Sequence, residues 1–168
     1  MTMKPIYSKE WITVNEDDTK VRVSQFYFRK TNDLFEQILL ALNDDAAEQA
    51  TALRFLRNEC PSASELEVLA PVIINMAVNE NTDNSILARQ CLVNSAFNQN
   101  RTIRKKLTSM FDDFLKSDNQ YTYRRLAELL FFLNYRDLRK RLMEKCKNSK
   151  DKNIVNIYTT FLQDYDWV

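Results

Sequence analysis

Glycine is absent from all 168 residues of this chain, and this absence constrains the fold more than any other feature. Phosphate-binding loops and dinucleotide fingerprints need backbone positions that only glycine can fill, so neither motif is present. Helices commonly end on a left-handed glycine. In this chain another residue type must close each helix.

Histidine is also absent, which excludes Ser-His and Cys-His nucleophile pairs and imidazole metal ligands. Carboxylate-only and lysine-based chemistry stay formally open. The candidate carboxylate for such chemistry is Glu128, beside Arg124 and Arg125. Its spacing from Arg124 is that of an ordinary i, i+4 ion pair. The sequence therefore predicts a protein that is not an enzyme and holds no cofactor.

The three cysteines, Cys60, Cys91 and Cys146, are widely separated and form no CxxC pair. An odd, scattered set suits neither a disulfide framework nor a zinc site, so we expect no metal. Buried thiols in a reducing cytosol fit this usage. The N-terminal residues lack the apolar core of a signal peptide, and no apolar run is long enough to span a bilayer. We expect a cytoplasmic protein without membrane contact.

The first thirty residues differ in pattern from the rest. Residues 11–14 and 20–23 are β-prone runs on either side of a polar segment, 15–19. Such a pattern predicts a small N-terminal β-hairpin. The alternatives are an irregular arm and a first helix near residues 23–28.

From residue 31 the apolar period becomes helical and predicts about eight helices, paired as four helical hairpins over residues 31–165. We expect one domain over residues 1–168, with residues 1–30 as its hairpin or arm. Asparagine, the next-best residue for a left-handed cap, falls at the helix ends. The asparagines at these ends are Asn43, Asn58, Asn79, Asn98, Asn134 and Asn148. The predicted helices cover residues 33–43, 45–58, 63–79, 84–98, 101–116, 120–134, 136–147 and 151–163.

A small-then-large pair recurs in the second helix of the first three hairpins. The pairs are Ala52/Leu56, Ala88/Leu92 and Ala127/Phe131, at offsets of 36 and 39 residues. A small residue lets the next helix approach closely, and a fixed period marks a repeat. Around these pairs the chain resembles the HEAT/armadillo-like helical repeats. Pro71 matches the first-helix proline of those repeats, whereas Tyr158 stands where the fourth unit would carry alanine. The resemblance implies an all-α fold, an α-α superhelix with a recognition surface; the alternative is an irregular helical bundle.

Short, asparagine-rich helical repeats without enzyme motifs also resemble the bacterial immunity proteins of contact-dependent growth inhibition and related polymorphic-toxin systems. This resemblance implies a cognate toxin domain, in many cases a basic nuclease, as the protein partner. Residues 1–84 carry 8 Lys or Arg against 14 Asp or Glu, so carboxylates of this half are the candidate surface. A plainer interpretation of each carboxylate is that it lies at the start of a helix or on a solvent-exposed face. The predicted partner-binding residues are Glu16, Asp17, Asp18, Asp44, Asp45, Glu48, and the aromatic anchors Tyr165 and Trp167.

Residues 85–168 carry 16 Lys or Arg against 9 Asp or Glu, which gives an alternative function in nucleic-acid binding. Guanidinium groups contact phosphates, and aromatic rings stack on bases. The sequence pI of 7.6 is low for a dedicated nucleic-acid binder. A scaffold or adaptor is a second alternative. The candidate nucleic-acid residues are Arg101, Arg104, Lys105, Tyr121, Tyr123, Arg124 and Arg125.

Overall fold

All regular elements that the computed structural model describes are α-helical, which confirms the all-α class. The structure describes residues 7–59 and 61–164, with the side chains of 162–164 excepted. The chain divides into two compact units, one ending at Ile38 and one beginning at Leu39. The single-domain assignment stays a prediction. The helices of the described ranges are α1 (Lys9–Phe28), α2 (Leu34–Leu42), α3 (Ala46–Arg57), α4 (Ala63–Asn79), α5 (Thr82–Phe114), α6 (Gln120–Phe132), α7 (Arg136–Lys147) and α8 (Lys152–Asp164).

The predicted N-terminal β-hairpin is wrong, because α1 covers both of its strands and the connecting segment. The Ser8 side chain accepts a hydrogen bond from the Trp11 backbone N–H (3.2 Å) and starts the helix. No glycine or proline interrupts residues 9–28. The acids that suggested a turn pair instead along the helix, Asp17 with Lys20 at 2.8 Å. No residue of α1, all of which the structure describes, is buried.

Helix α5 merges two predicted helices, 84–98 and 101–116, into one element of 33 residues. Gln99 alone leaves helical backbone angles, with φ −129° and ψ 30°. With no proline or glycine at the junction, the backbone continues after one distorted residue. The predicted end at Asn98 is therefore wrong. Residues 82–98 are hereafter the first segment of α5, and residues 100–114 its second segment.

Asparagine does close several helices, though mostly not through left-handed geometry. Among the described residues, Asn134 alone has a positive φ, 55°. Asn43 donates its side-chain amide to the Leu39 carbonyl (2.7 Å). Asn148 donates in the same way to the Glu144 carbonyl (2.9 Å). In each case the asparagine amide donates to a carbonyl at the helix end. In glycine-based caps, backbone N–H groups donate to these carbonyls instead.

Helix α4 begins with a capping box that the sequence predicts. The Ser62 hydroxyl accepts from the Glu65 backbone N–H (3.3 Å), and the Glu65 carboxylate accepts from the Ser62 backbone N–H (2.7 Å). The Ser62 hydroxyl also donates to that carboxylate, and these hydrogen bonds hold the pKa of Glu65 below its ordinary value.

Replacing Ser62 with alanine is expected to lower the free energy of unfolding by about 0.5–2 kcal/mol at neutral pH. Because the pKa of Glu65 is lower in the folded than in the unfolded chain, its carboxylate stabilises the fold at pH values above the unfolded pKa. This contribution is lost as the pH falls through the pKa of the folded state. The difference between wild type and Ser62→Ala should therefore shrink on acidification. Urea unfolding at neutral pH and at about pH 3 measures this. An unchanged difference would show that Glu65 is not linked to the cap.

Three helical segments of the second unit are joined side by side by contacts at similar sequence offsets. The Arg57 guanidinium of α3 donates to Gln90 Oε1 of α5 (3.2 Å), 33 residues later. The Arg89 guanidinium of α5 pairs with the Glu128 carboxylate of α6 (2.5 Å), 39 residues later. We call α3, the first segment of α5 and α6 the second-helix row.

A matching set of contacts joins α4, the second segment of α5 and α7. Lys106 Nζ lies 2.7 Å from Glu67 Oε2, and Arg104 Nη2 lies 2.8 Å from Asp137 Oδ2. We call these three segments the first-helix row.

The alanines of the repeat signature lie in the core of the second-helix row. Ala52, Ala88 and Ala127 are all buried. The Cys91 thiol, three residues after Ala88, lies 3.1 Å from the Leu53 carbonyl of the neighbouring helix. Small side chains at these positions permit this backbone approach.

Candidate protein-binding groove

The first segment of α5 carries apolar side chains on two faces. Ala88 and Leu92 are buried, whereas Ile86, Val93 and Phe97 are exposed by 40%, 36% and 92%. Positions i, i+7 and i+11 lie on one face of a helix. Because the opposite face already fills the core, the exposed stripe is available for an interaction surface.

Helices α6 and α8 supply the rest of an apolar groove beside this stripe. Phe132 of α6 is 60% exposed, Phe131 is half-buried, and Phe161 of α8 is buried. These three rings and the side chains of Ile86 and Val93 line a groove of about 520 Å³. Its size and lining are those of a site that receives apolar side chains.

An ion pair between neighbouring helices lies among these rings. The Arg89 side chain is 13% exposed and the Glu128 side chain 32% exposed, and they meet at 2.5 Å. Arg124 Nε lies 3.9 Å from the other oxygen of Glu128. Burial lowers the pKa of Arg89, and the Glu128 carboxylate opposes that shift. The pair therefore keeps a charge in a largely apolar setting.

Cationic groups outnumber acidic ones around the groove. The Arg57 guanidinium donates to Gln90 of the lining, and the Arg57 carbonyl accepts from the Asn94 amide (2.9 Å). Arg89 is part of the described lining, and Arg57 and Arg124 contact residues of that lining. Three guanidinium groups therefore lie there, against the single carboxylate of Glu128. Apart from the Arg89–Glu128 pair, two guanidinium groups, those of Arg57 and Arg124, therefore lie beside a mostly apolar lining.

The predicted carboxylates of α1 are exposed and have local partners. Asp17 pairs with Lys20, and Asp18 lies 3.1 Å from Arg22 Nε. Glu16 is exposed on the same helix. These contacts are the i, i+3 and i, i+4 pairs of an ordinary solvated helix.

The predicted carboxylates at the start of α3 act locally. Asp45 Oδ1 accepts from the backbone N–H of Ala47 (2.8 Å) and of Glu48 (3.1 Å), so it is the N-cap. Asp44 Oδ1 accepts from the Asp45 backbone N–H (2.8 Å). Glu48 lies in the first turn, where the helix dipole favours an acid. Tyr165 and Trp167 lie outside the described residues.

The predicted nucleic-acid residues do not form one free cationic surface. Arg104 pairs with Asp137, and Lys105 Nζ lies 3.9 Å from Glu67 Oε1. Arg101 is exposed on the second segment of α5. Acids therefore compensate two of the three predicted nucleic-acid-binding cations of this helix.

Three of the four remaining members of that set have side-chain contacts in or beside α6. Tyr123 is buried and donates its hydroxyl to the Leu115 carbonyl (2.7 Å). Arg125 donates to the Glu80 carbonyl. Tyr121 is exposed, and Arg124 lies beside Glu128.

The described cysteines are buried thiols. Burial raises the pKa of Cys91 and of Cys146 to about 12, which leaves both unreactive at neutral pH. Within the described residues, no three metal-binding side chains come together. No helix in the described part of the chain combines the length and apolar character needed to cross a bilayer.

Sequence reasoning missed the groove residues Ile86, Val93 and Phe132, and also Phe97, which continues the α5 stripe outside the groove lining. The signal for the three α5 residues was the i, i+7, i+11 spacing of apolar residues opposite the core face of their helix.

Comparisons with protein-family models, curated proteins and solved structures found no match.

Proposed function

We propose that this chain is a binding protein of the α-α superhelix class, built from HEAT-like helical hairpins. Support comes from the two rows of helices, whose contacts recur at similar offsets: Arg57 to Gln90 spans 33 residues, and Arg89 to Glu128 spans 39. Repeats of this kind stack so that each unit contacts its neighbours, leaving long surfaces for a partner. The buried alanines of the second-helix row add to this support.

The proposed role is neutralisation of a cognate bacterial toxin by direct protein–protein binding in the cytoplasm. The observation that carries it is the apolar groove between α5, α6 and α8, which is lined by the exposed ring of Phe132 and the exposed side chains of Ile86 and Val93. Contiguous exposed apolar surface of this kind marks protein-interaction sites. The resemblance of the sequence to immunity proteins supplies the kind of partner.

The nucleic-acid alternative has less support. Arg104 and Lys105 face carboxylates, and Tyr123 is buried, so phosphate and base contacts would require breaking existing interactions.

Growth rescue tests the proposed role. The C-terminal domain of the protein encoded directly upstream of this chain is expressed in a bacterial host, with and without this chain. We expect the domain alone to stop growth and coexpression to restore it. A harmless domain, or one whose toxicity persists beside well-expressed chain, would contradict the proposal.

Two matched variants link rescue to the groove. Phe132→Ser removes an exposed ring of the groove, and Val68→Ser removes an apolar side chain that is 47% exposed on α4. Rescue should fail with Phe132→Ser and persist with Val68→Ser. The opposite pattern would place the binding surface on the first-helix row.

A further inference from the structure

We infer that the groove receives an amphipathic helix with an apolar face and acidic flanks, supplied by the partner protein. This inference rests on the proposed function and adds the chemistry of the segment that is bound. It follows from the length of the apolar stripe and from the charge at its edge.

The stripe on α5 has the dimensions of a helix-binding surface. Ile86 and Phe97 are eleven residues apart, which corresponds to about 16 Å, or three helical turns. Phe131 and Phe132 of α6 face the same groove as Ile86 and Val93. A partner helix with apolar residues at i, i+4, i+7 and i+11 therefore matches the stripe in length and period.

Charge at the groove selects acidic rather than basic flanks. The Arg57 guanidinium donates to Gln90 of the lining, Arg124 Nε lies 3.9 Å from Glu128, and Glu128 is paired more closely with Arg89. An acidic residue of the partner would gain charge-assisted hydrogen bonds from the guanidinium groups. A lysine at the same place would meet like charge, which suppresses the wrong partner.

Two synthetic peptides of about three helical turns test the inference by fluorescence anisotropy. Both carry leucines at i, i+4, i+7 and i+11; one carries glutamates on its flanks, and the other carries lysines at the same positions. We expect the glutamate peptide to bind at least about tenfold more tightly, with the preference falling as salt is added. Equal binding, tighter binding of the lysine peptide, or no binding of either would overturn the inference.

Four variants locate the peptide. Phe132→Ser should weaken binding of the glutamate peptide by about tenfold or more, as expected when an aromatic anchor is lost. Arg124→Glu should reduce or reverse the preference for glutamate over lysine flanks. The controls, Val68→Ser on α4 and Arg136→Glu on α7, should bind as wild type does. Circular dichroism checks that each variant is folded.

Failure of this inference can be told apart from failure of the proposed function. If the toxin domain is neutralised but the glutamate peptide neither binds nor competes with it, the acidic-helix inference is wrong and the immunity role stands. If self-association occurs in sedimentation and is lost with Phe132→Ser, the groove belongs to a second copy of the chain, and the inference is wrong.

Discussion

Replacing Phe111 with alanine is expected to lower the free energy of unfolding by about 3–5 kcal/mol. Phe111 lies in the second segment of α5 and is fully buried. The Arg141 guanidinium from α7 lies 5.0 Å from the ring centroid, so the change also removes a cation-π contact between two helices of the first-helix row. Urea unfolding followed by circular dichroism measures the loss.

Phe97→Ala is the matched control for this prediction. It removes the same side chain from the same helix, at a position that is 92% exposed. We expect a change within about 0.5 kcal/mol, as for surface substitutions generally. Similar losses for the two variants would mean that the two faces of α5 are assigned incorrectly.

Replacing Glu128 with alanine is expected to destabilise the fold by about 2–3 kcal/mol. The change leaves the Arg89 guanidinium, which is 13% exposed, without the carboxylate that it meets at 2.5 Å. A desolvated charge that loses its partner costs more than an exposed pair contributes. Adding Arg89→Met to Glu128→Ala should recover part of the loss, because the double variant no longer buries a charge.

Glu67→Ala is the control for charge removal by itself. Glu67 is 40% exposed and pairs with Lys106 across the first-helix row at 2.7 Å. Lys106 is 25% exposed, so each side chain of this pair is more exposed than its counterpart in the Arg89–Glu128 pair. A pair near the surface contributes about 0–1 kcal/mol, so we expect a smaller effect. If Glu67→Ala cost as much as Glu128→Ala, partial burial of the Arg89 pair would not explain its contribution.

Apart from α5, the sequence predicted the helices of the second unit well because their signals are local. Ser62 and Glu65 form their capping box within one turn, and Pro61 precedes it. The apolar period places Leu53 and Leu92 inside their helices, where the structure buries them. These features need no knowledge of distant contacts.

The two main errors occurred where local signals compete. Residues 11–14 and 20–23 are β-prone, yet the Ser8 cap and the pairs between acids and bases stabilise α1 over the same residues. At Gln99 the helix distorts without ending, and a cap pattern cannot distinguish these outcomes. Propensity is a weak guide when helical pairs and strand formers occupy the same segment.

The candidate site was beyond local reasoning for a different reason. An exposed apolar residue such as Phe97 looks like any core position until the core face of its helix is known. The Arg89–Glu128 pair joins residues 39 positions apart, and the groove forms only where α5, α6 and α8 meet. Charge counts pointed instead to carboxylates that cap and pair locally, such as Asp45.

A single fluorophore beside the groove tests the central claim most directly. Val93→Cys in a Cys60→Ser background gives one reactive thiol in the described part of the chain, because burial raises the pKa of Cys91 and Cys146 to about 12. Val68→Cys in the same background is the control on α4. On forming a complex with the upstream-encoded domain that the proposed function takes as the partner, an environment-sensitive label at position 93 should shift to shorter wavelength, while a label at 68 should not. A complex that shifts the label at 68 and leaves 93 unchanged would contradict binding in the groove.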